Sequence, residues 1–154
     1  MYETCAKVTP GSRIGLIMKK LAIIVSNGSF NNIEQVATFA MAAAVCEIKV
    51  RIFFRDEAVL KMTKTHINDF NLSSGYKEPA QDAFKRFQSA KVGDLQGLWQ
   101  EVKKQGDVKL YACTSSMFLC GVNKEALVPE IDEPRGLTSF LLEEMNDADQ
   151  VLTF

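Results

Sequence analysis

Short apolar runs alternate with amphipathic helical patterns through most of this sequence. Residues 21–25 (LAIIV) and 49–54 (KVRIFF) are rich in β-branched and aromatic side chains, which is typical of strands buried in a sheet. Between them, residues 33–46 place apolar side chains at helical spacing, and many of these are alanines that permit close packing. This alternation predicts a parallel sheet with helices on its faces.

The same alternation continues through the second half of the chain. Asp94 is a helix-capping residue type, and the apolar face of the helix predicted after it includes Trp99, which we expect in the core. Residues 108–112 (VKLYA) then have the length and apolar content of a strand. The sequence also predicts a helical turn at 56–62 that begins with Asp56 and a second turn at 124–127 that is capped by Asn123. A last helix is predicted from Leu137 or Thr138, followed by a terminal strand at 150–154.

Residues 64–93 break this pattern, because asparagine, serine, glycine and proline mark turns along them. Ala83, Phe84 and Phe87 at helical spacing predict one short helix inside the segment. Long segments with little regular structure are often functional. Three roles therefore stay open: a lid over a site, a contact with a subunit or partner, or a surface excursion that packs on its own domain through its aromatic side chains.

The composition is that of one globular domain. A chain of 154 residues, 47% of them hydrophobic, is long enough to bury a substantial core and too apolar for disorder. Its 18 basic and 19 acidic residues give a net charge of -1, which leaves no electrostatic basis for binding nucleic acid or an anionic membrane. Since no apolar run approaches the roughly 20 residues that span a bilayer, no membrane span is predicted.

The first residues of the chain are weakly patterned. Residues 1–17 contain a Pro-Gly turn and only a brief apolar patch, too weak for an export signal. We expect a flexible extension over 1–17 ahead of a single α/β domain over 18–154, with Met18 as an alternative natural start. Four cysteines without CxxC spacing, in a chain without a convincing export signal, indicate a reducing compartment, so we expect a cytoplasmic protein.

A cysteine stands at the carboxyl end of the third predicted strand. Cys113 is followed by Thr114, Ser115 and Ser116, whose hydroxyls suit the cap of a helix that we expect to begin near Met117. Carboxyl ends of parallel strands are where open α/β proteins bind ligands, and N–H groups at a helix start favour a thiolate. Cys113 is the best candidate nucleophile, and a small buried apolar residue is an equally good interpretation of the pattern alone.

The other candidate groups have simpler interpretations. Cys120 lies two helical turns after Cys113, which separates their Cα atoms by roughly 10 Å, beyond the reach of a disulfide. We expect Cys120 to pack at a helix end, with a sulfur relay as a secondary hypothesis, and we expect Cys46 in the core. His66, the single histidine, is expected as a surface imidazole. Because the cysteines lack the clustering that a zinc site needs, no metal is predicted.

The loop after the first strand is a second candidate binding element. Ser26, Asn27 and Gly28 loosely resemble an anion-binding loop, but the glycine-rich nucleotide fingerprints are absent and ordinary turn chemistry is the preferred interpretation. This loop should lie at the same sheet edge as Cys113. Ser26, Asn27 and Gly28, with Thr114 to Ser116, are therefore candidates for the substrate loops around the thiol.

The stretch YAC-x-x-SM-x-x-x-GV at residues 111–122, continuing into KEALVP at 124–129, resembles the DsrE/DsrF family of small sulfur-carrier proteins, in particular its DsrE2-like branch. Agreement continues through GLTSFL at 136–141 and ADQV at 148–151. The N-terminal half matches too, so the resemblance covers roughly residues 19–154. Cys120 departs from the pattern, because it stands where an apolar residue, often methionine, is expected.

The resemblance implies a Rossmann-like α/β domain, a three-layer open, mostly parallel sheet with helices on both faces, in a protein that is usually a homo-oligomer. It also implies that Cys113 carries sulfane sulfur as a persulfide, with sulfur-donor and sulfur-acceptor proteins or small sulfur compounds as partners. Thiol-to-thiol transfer needs no metal or organic cofactor. The label of enzyme stays open, because a carrier need not turn over by itself.

Two alternatives from other functional classes remain. One is a nucleotide- or flavin-binding module that uses the loop at 26–30, since doubly wound sheets bind such ligands at this edge. The other is a non-catalytic scaffold subunit in which Cys113 is structural and the segment at 64–93 docks a partner.

Overall fold

A computed structural model describes residues 18–76, 80–90 and 93–154, so the extension expected over 1–17 lies outside the described residues. In chain order, the elements are β1 (Lys20–Val25), α1 (Phe30–Val45), β2 (Lys49–Phe54), α2 (Glu57–Lys61), α3 (Ala80–Ser89), α4 (Leu95–Gln105), β3 (Val108–Cys113), α5 (Thr114–Leu119), a 3-10 turn (Lys124–Ala126), β4 (Glu133–Arg135), α6 (Leu137–Phe140), a π-helical segment (Leu141–Met145) and β5 (Gln150–Thr153). None of these helices is both long and apolar enough to cross a membrane.

The five strands form one sheet in the order β4-β3-β2-β1-β5, and each neighbouring pair is parallel. Helices cover both faces of the sheet. Trp99 of α4 meets the ring of Phe54 edge-on at 5.7 Å, whereas Phe140 of α6 stacks at 4.7 Å on Phe53, the neighbouring residue of β2. Since successive strand residues point to opposite faces, α4 and α6 lie on opposite sides. This confirms the predicted α/β fold with a three-layer, parallel sheet.

Burial of large side chains on both faces holds the layers together. Trp99, Phe53, Phe54 and Phe140 are all fully buried, which bears out the expectation that Trp99 lies in the core. Burying each of these side chains contributes on the order of 2–3 kcal/mol, and the edge-on and stacked ring pairs add about 1 kcal/mol. The sheet therefore presents a rigid carboxyl edge, on which the candidate residues lie.

The described residues of the segment at 64–93 pack on their own domain. Its helix α3 confirms the short helix predicted from the helical spacing of its apolar residues. Phe70 lies 4.8 Å from Phe30 of α1 between ring centroids, and Phe84 and Phe87 join the same cluster at 4.8 and 5.6 Å from Phe70. Among the three roles left open for this segment, the described residues favour a surface excursion held down by aromatic packing.

Two details of the sequence interpretation are corrected. Cys46 is exposed and caps the C-terminus of α1, so its expected place in the core is wrong. The helix ends at Val45 and the chain turns at Glu47, which has a positive φ of 61°, so Cys46 falls outside the buried stripe of the helix. The strand β4 was not predicted, because its sequence EPR has no apolar run and its proline is tolerated only at a sheet edge.

Candidate functional site

Cys113 lies at the junction between β3 and α5. It is the last residue of the strand and the N-cap of the helix, with extended backbone angles (φ -64°, ψ 118°), and it is only 5% exposed. The strand extends one residue beyond its predicted end at Ala112, because Cys113 pairs with Arg135 of β4, a strand that the sequence pattern did not predict.

The helix after the thiol begins earlier than expected. We predicted a start near Met117 with the hydroxyls of residues 114–116 as caps, but α5 begins at Thr114. Thr114 and Ser115 are exposed, whereas Ser116 is buried and its Oγ accepts a hydrogen bond from the Asp56 backbone N–H at 2.8 Å. The Ser116 hydroxyl, which we expected to cap a helix starting at Met117, instead binds the loop after β2.

Asp56 is held in an uncommon backbone conformation at this edge. Its φ of 50° and ψ of -131° lie in a region of backbone conformation that residues other than glycine rarely adopt. Residues in such conformations often cluster at functional sites. Ser116, the Arg55 guanidinium at 2.9 Å and the Cys120 thiol all contact it. Asp56 stands at the N-cap of α2, as its sequence position suggested, yet its side chain forms no capping bond.

Cys120 is the C-cap of α5 and is half-buried. Its Sγ donates to the Asp56 carbonyl oxygen at a distance of 3.7 Å. Because residues 114–119 are continuously helical, the Cα atoms of Cys113 and Cys120 are separated by roughly two turns, about 10 Å, too far for a direct disulfide. Cys120 occupies the packing position at a helix end that the sequence indicated.

An arginine lies beside the thiol on the neighbouring strand. Aligned residues of parallel strands share a face, so Arg135 lies next to Cys113, and Tyr111 lies on the same face two residues earlier. The Arg135 guanidinium stacks 4.2 Å above the Tyr111 ring and donates to Glu144 Oε1 at 3.0 Å. Arg135 was not among the predicted site residues, because the EPR segment has no apolar run that would predict a strand.

Glu144 is the centre of a charged cluster on this face. It lies in the π-helical segment, a type of irregularity often found at functional sites, and its side chain is 12% exposed. Burial would raise the pKa of the Glu144 carboxyl, but hydrogen bonds from Tyr111 and Lys20 outweigh burial and hold the pKa below its ordinary value. Its donors and their distances are Tyr111 at 2.7 Å, Arg135 and Lys20 at 3.0 Å, and Arg51 at 3.1 Å.

The loop after β1 lies at the same carboxyl edge of the sheet as Cys113, but not directly beside it. Strand β2 lies between β1 and β3, so the loops after β1 and β3 begin roughly 10 Å apart, and the Asp56 loop stands between them. Ser26 binds the Phe154 carbonyl oxygen through its backbone N–H at 2.9 Å, and Asn27 Oδ1 accepts from the Ser29 N–H at 2.8 Å. Gly28 is buried against α2. These internal bonds are ordinary turn chemistry.

The remaining polar candidates are surface groups. His66 Nδ1 lies 2.7 Å from Asp69 Oδ2, and both side chains are about half exposed. Within residues 18–76, 80–90 and 93–154, no group of three or more histidine, cysteine, aspartate or glutamate side chains is arranged to hold a metal ion.

Comparisons with known proteins bear on the family and the fold of this chain. The sequence profile of the DsrE/DsrF-like family matches residues 19–154. Among solved structures, the fold is similar to that of the protein of unknown function MTH1491 from Methanobacterium thermoautotrophicum, with a TM-score of 0.60 and 9% identity over 88% of this chain and 99% of that chain. At that identity the likeness concerns the fold alone. No curated protein matches this sequence significantly. The profile match covers nearly the whole sheet and its helices, and this chain therefore belongs to the DsrE/DsrF-like family.

Proposed function

We propose that this protein is a sulfur carrier that holds sulfane sulfur as a persulfide on Cys113 and passes it to a partner thiol. The position of Cys113 carries the proposal: it is a thiol at the carboxyl edge of a parallel sheet, where a helix begins directly after it. Ligands of open α/β sheets bind at this edge. Family membership supports the proposal, because DsrE-like proteins are often linked to sulfur relay.

The transfer is a thiol–persulfide exchange. The Cys113 thiolate attacks the terminal sulfur of a donor R–S–SH, the donor S–S bond breaks, and its electron pair leaves on R–S⁻. The product is Cys113–S–SH, and the acceptor thiolate repeats the same step on the outer sulfur and releases the Cys113 thiolate. One S–S bond forms for each one that breaks, so the exchange requires no external oxidant or reductant.

Arg135 is the neighbour of Cys113 on the adjacent strand, and its guanidinium is paired with the carboxylates of Glu133, Glu143 and Glu144. The low exposure of Cys113 predicts that small sulfur compounds load it faster than bulky donors do.

A homo-oligomer in the cytoplasm remains part of the proposal. Phe118 and Leu119 follow the thiol on α5 and are 85% and 78% exposed. Adjacent apolar side chains with this exposure are often covered by another protein surface. Partner proteins that donate or accept sulfur would have to reach the same edge of the sheet.

The test is intact-mass spectrometry after exposure to polysulfide, followed by peptide mapping. We expect a gain of whole sulfur atoms that a reductant reverses and that maps to the Cys113 peptide. Cys113→Ser should keep its fold and lose this gain, whereas Cys120→Ser, the matched control on the same helix, should keep it. Equal loading on Cys5, Cys46 or Cys120 would contradict the assignment.

A structural role for Cys113 is the second candidate function, and its burial is the observation in favour. The two candidates differ in reactivity. If Cys113 in the folded protein neither gains sulfur nor reacts with a small alkylating reagent, the thiol is structural and the protein is a scaffold rather than a carrier.

A further inference from the structure

A cavity separate from the thiol lies between the loop after β1, helix α2 and residues 66–71. Its volume is about 450 Å³, within the range of sites that hold small molecules. Gly28, Lys61 and Asn71 are among the residues that line it.

Lys61 places a buried cation in the wall of this cavity. The residue is only 3% exposed, which is rare for lysine unless the charge is compensated. Its Nζ donates to Asn71 Oδ1 at 2.9 Å and to the backbone carbonyl oxygen of Asp69, and it lies 5.3 Å from the centroid of the Phe30 ring. These immediate partners are neutral. Within residues 18–76, 80–90 and 93–154, no carboxylate is bonded directly to this ammonium ion, although a buried charge usually has such a partner.

The other residues that line the cavity limit which ligand could provide an anion for Lys61. The Asp69 carboxylate is hydrogen-bonded to His66 Nδ1 and acts on Lys61 through space. Glu57 adds a second carboxylate to the lining, so a ligand with two negative charges would be repelled more strongly than a ligand with one. Leu60 gives the cavity an apolar wall. An inorganic oxyanion, the size of a few water molecules of about 30 Å³ each, would fill only part of the volume.

We propose that this cavity binds a small organic molecule with one carboxylate group, which pairs with the Lys61 ammonium ion while the neutral part of the molecule contacts Leu60. This site is distinct from Cys113 and does not depend on persulfide chemistry.

The protonation of Lys61 makes the binding pH-dependent. Burial lowers the pKa of Lys61 to about 8, an effect that the Asp69 carboxylate partly opposes. Only the protonated amine pairs with a carboxylate, so affinity should be full at pH 7 and about tenfold lower at pH 9. The other titratable groups that line the cavity with Lys61 are His66, Glu57 and Asp69.

The experiment is a titration of ¹⁵N-labelled protein, followed by NMR, with four probes at constant ionic strength: butyrate, succinate, butyramide and sulfate. We expect butyrate to shift the amide signals of Gly28, Lys61 and Asn71 with a millimolar dissociation constant, as suits so small a ligand. Succinate carries a second charge, butyramide carries none and sulfate has no apolar part. Each should bind at least fivefold more weakly than butyrate.

Lys61→Met should lose butyrate binding, because it keeps the volume of the side chain and removes the charge. Lys64→Met is the matched control, since Lys64 is an exposed lysine whose Nζ donates to the Glu125 carbonyl oxygen, and it should bind as wild type does. If Lys61→Met does not fold, the wild-type loss of affinity between pH 7 and pH 9 tests the same point. Absence of shifts at the cavity, binding of butyramide or sulfate as tight as that of butyrate, or an affinity that does not change with pH would overturn the proposal.

Discussion

Replacing Glu144 by glutamine should destabilise the protein far more than the same change at its neighbour Glu143. The two carboxylates lie in the same π-helical segment, but the Glu144 side chain is 12% exposed and that of Glu143 is 60% exposed. Glu143 contacts Arg135 at 3.2 Å. Glu144 instead joins strands β1, β2, β3 and β4 through four donors: Lys20, Arg51, Tyr111 and Arg135.

The size of the effect follows from these contacts. A hydrogen bond to a charged group contributes about 1.5–3 kcal/mol, so four of them set an upper bound of roughly 6–12 kcal/mol. The three cations each keep a second carboxylate, namely Asp147, Asp107 and Glu133, and the glutamine oxygen still accepts from Tyr111. We therefore expect a loss of about 3 kcal/mol, the low end of the range for breaking a buried ion pair. Glu143→Gln, at an exposed pair, should lose less than about 1 kcal/mol.

The assay is urea unfolding followed by the fluorescence of Trp99, the single tryptophan of the chain. Glu144→Gln should lower the midpoint without changing the slope, and it should lower the melting temperature by about 10 °C. A loss below about 1 kcal/mol, or an equal loss in Glu143→Gln, would refute the idea that Glu144 is the structural centre of the cluster.

Two further predictions concern pH and backbone packing. Because the pKa of Glu144 is below its unfolded value near 4.3, its contribution to stability is present above that pH and is lost as pH falls through the folded pKa. Urea unfolding at pH 7 and pH 3.5 should therefore show that acid lowers the free energy of unfolding less in Glu144→Gln than in wild type. An equal acid loss in both proteins would contradict this. Gly28→Ala should lose about 1–3 kcal/mol, because the added Cβ would lie 2.5 Å from the Glu57 carbonyl oxygen, whereas Gly136→Ala meets open space and should change stability by less than about 0.5 kcal/mol. Equal melting temperatures for these two variants would show that the Gly28 contact relaxes at no cost.

Much of the candidate thiol site was predictable from local pattern. The apolar run before Cys113 predicted a strand, and the small polar residues after it predicted a helix start, so the thiol was placed at a strand end without tertiary information. The precise start of α5 was missed, because the hydroxyl of Ser116 is engaged by Asp56, a residue sixty positions away. No local signal marks such a contact.

The groups that surround the two proposed sites were not predictable. Arg135 neighbours Cys113 because β4 pairs with β3, and a three-residue strand with a proline leaves no periodic signal. Lys61 looks like an ordinary solvated residue at the end of a five-residue helix, and its burial arises from packing against the segment that contains Asp69 and Asn71.

By itself, the sequence determined most of the strands and helices of this chain, with β4 as an exception, since the periodicity of apolar residues decides which face of each element must be buried. Its motifs also indicated the family and selected Cys113 among the cysteines. The tertiary structure decided the strand order, which places the Asp56 loop between the loops that follow β1 and β3. It also gathered Lys20, Arg51, Tyr111 and Arg135 around Glu144. The physical reason is that periodicity is a local property, whereas the neighbours of a charge are set by how distant segments pack.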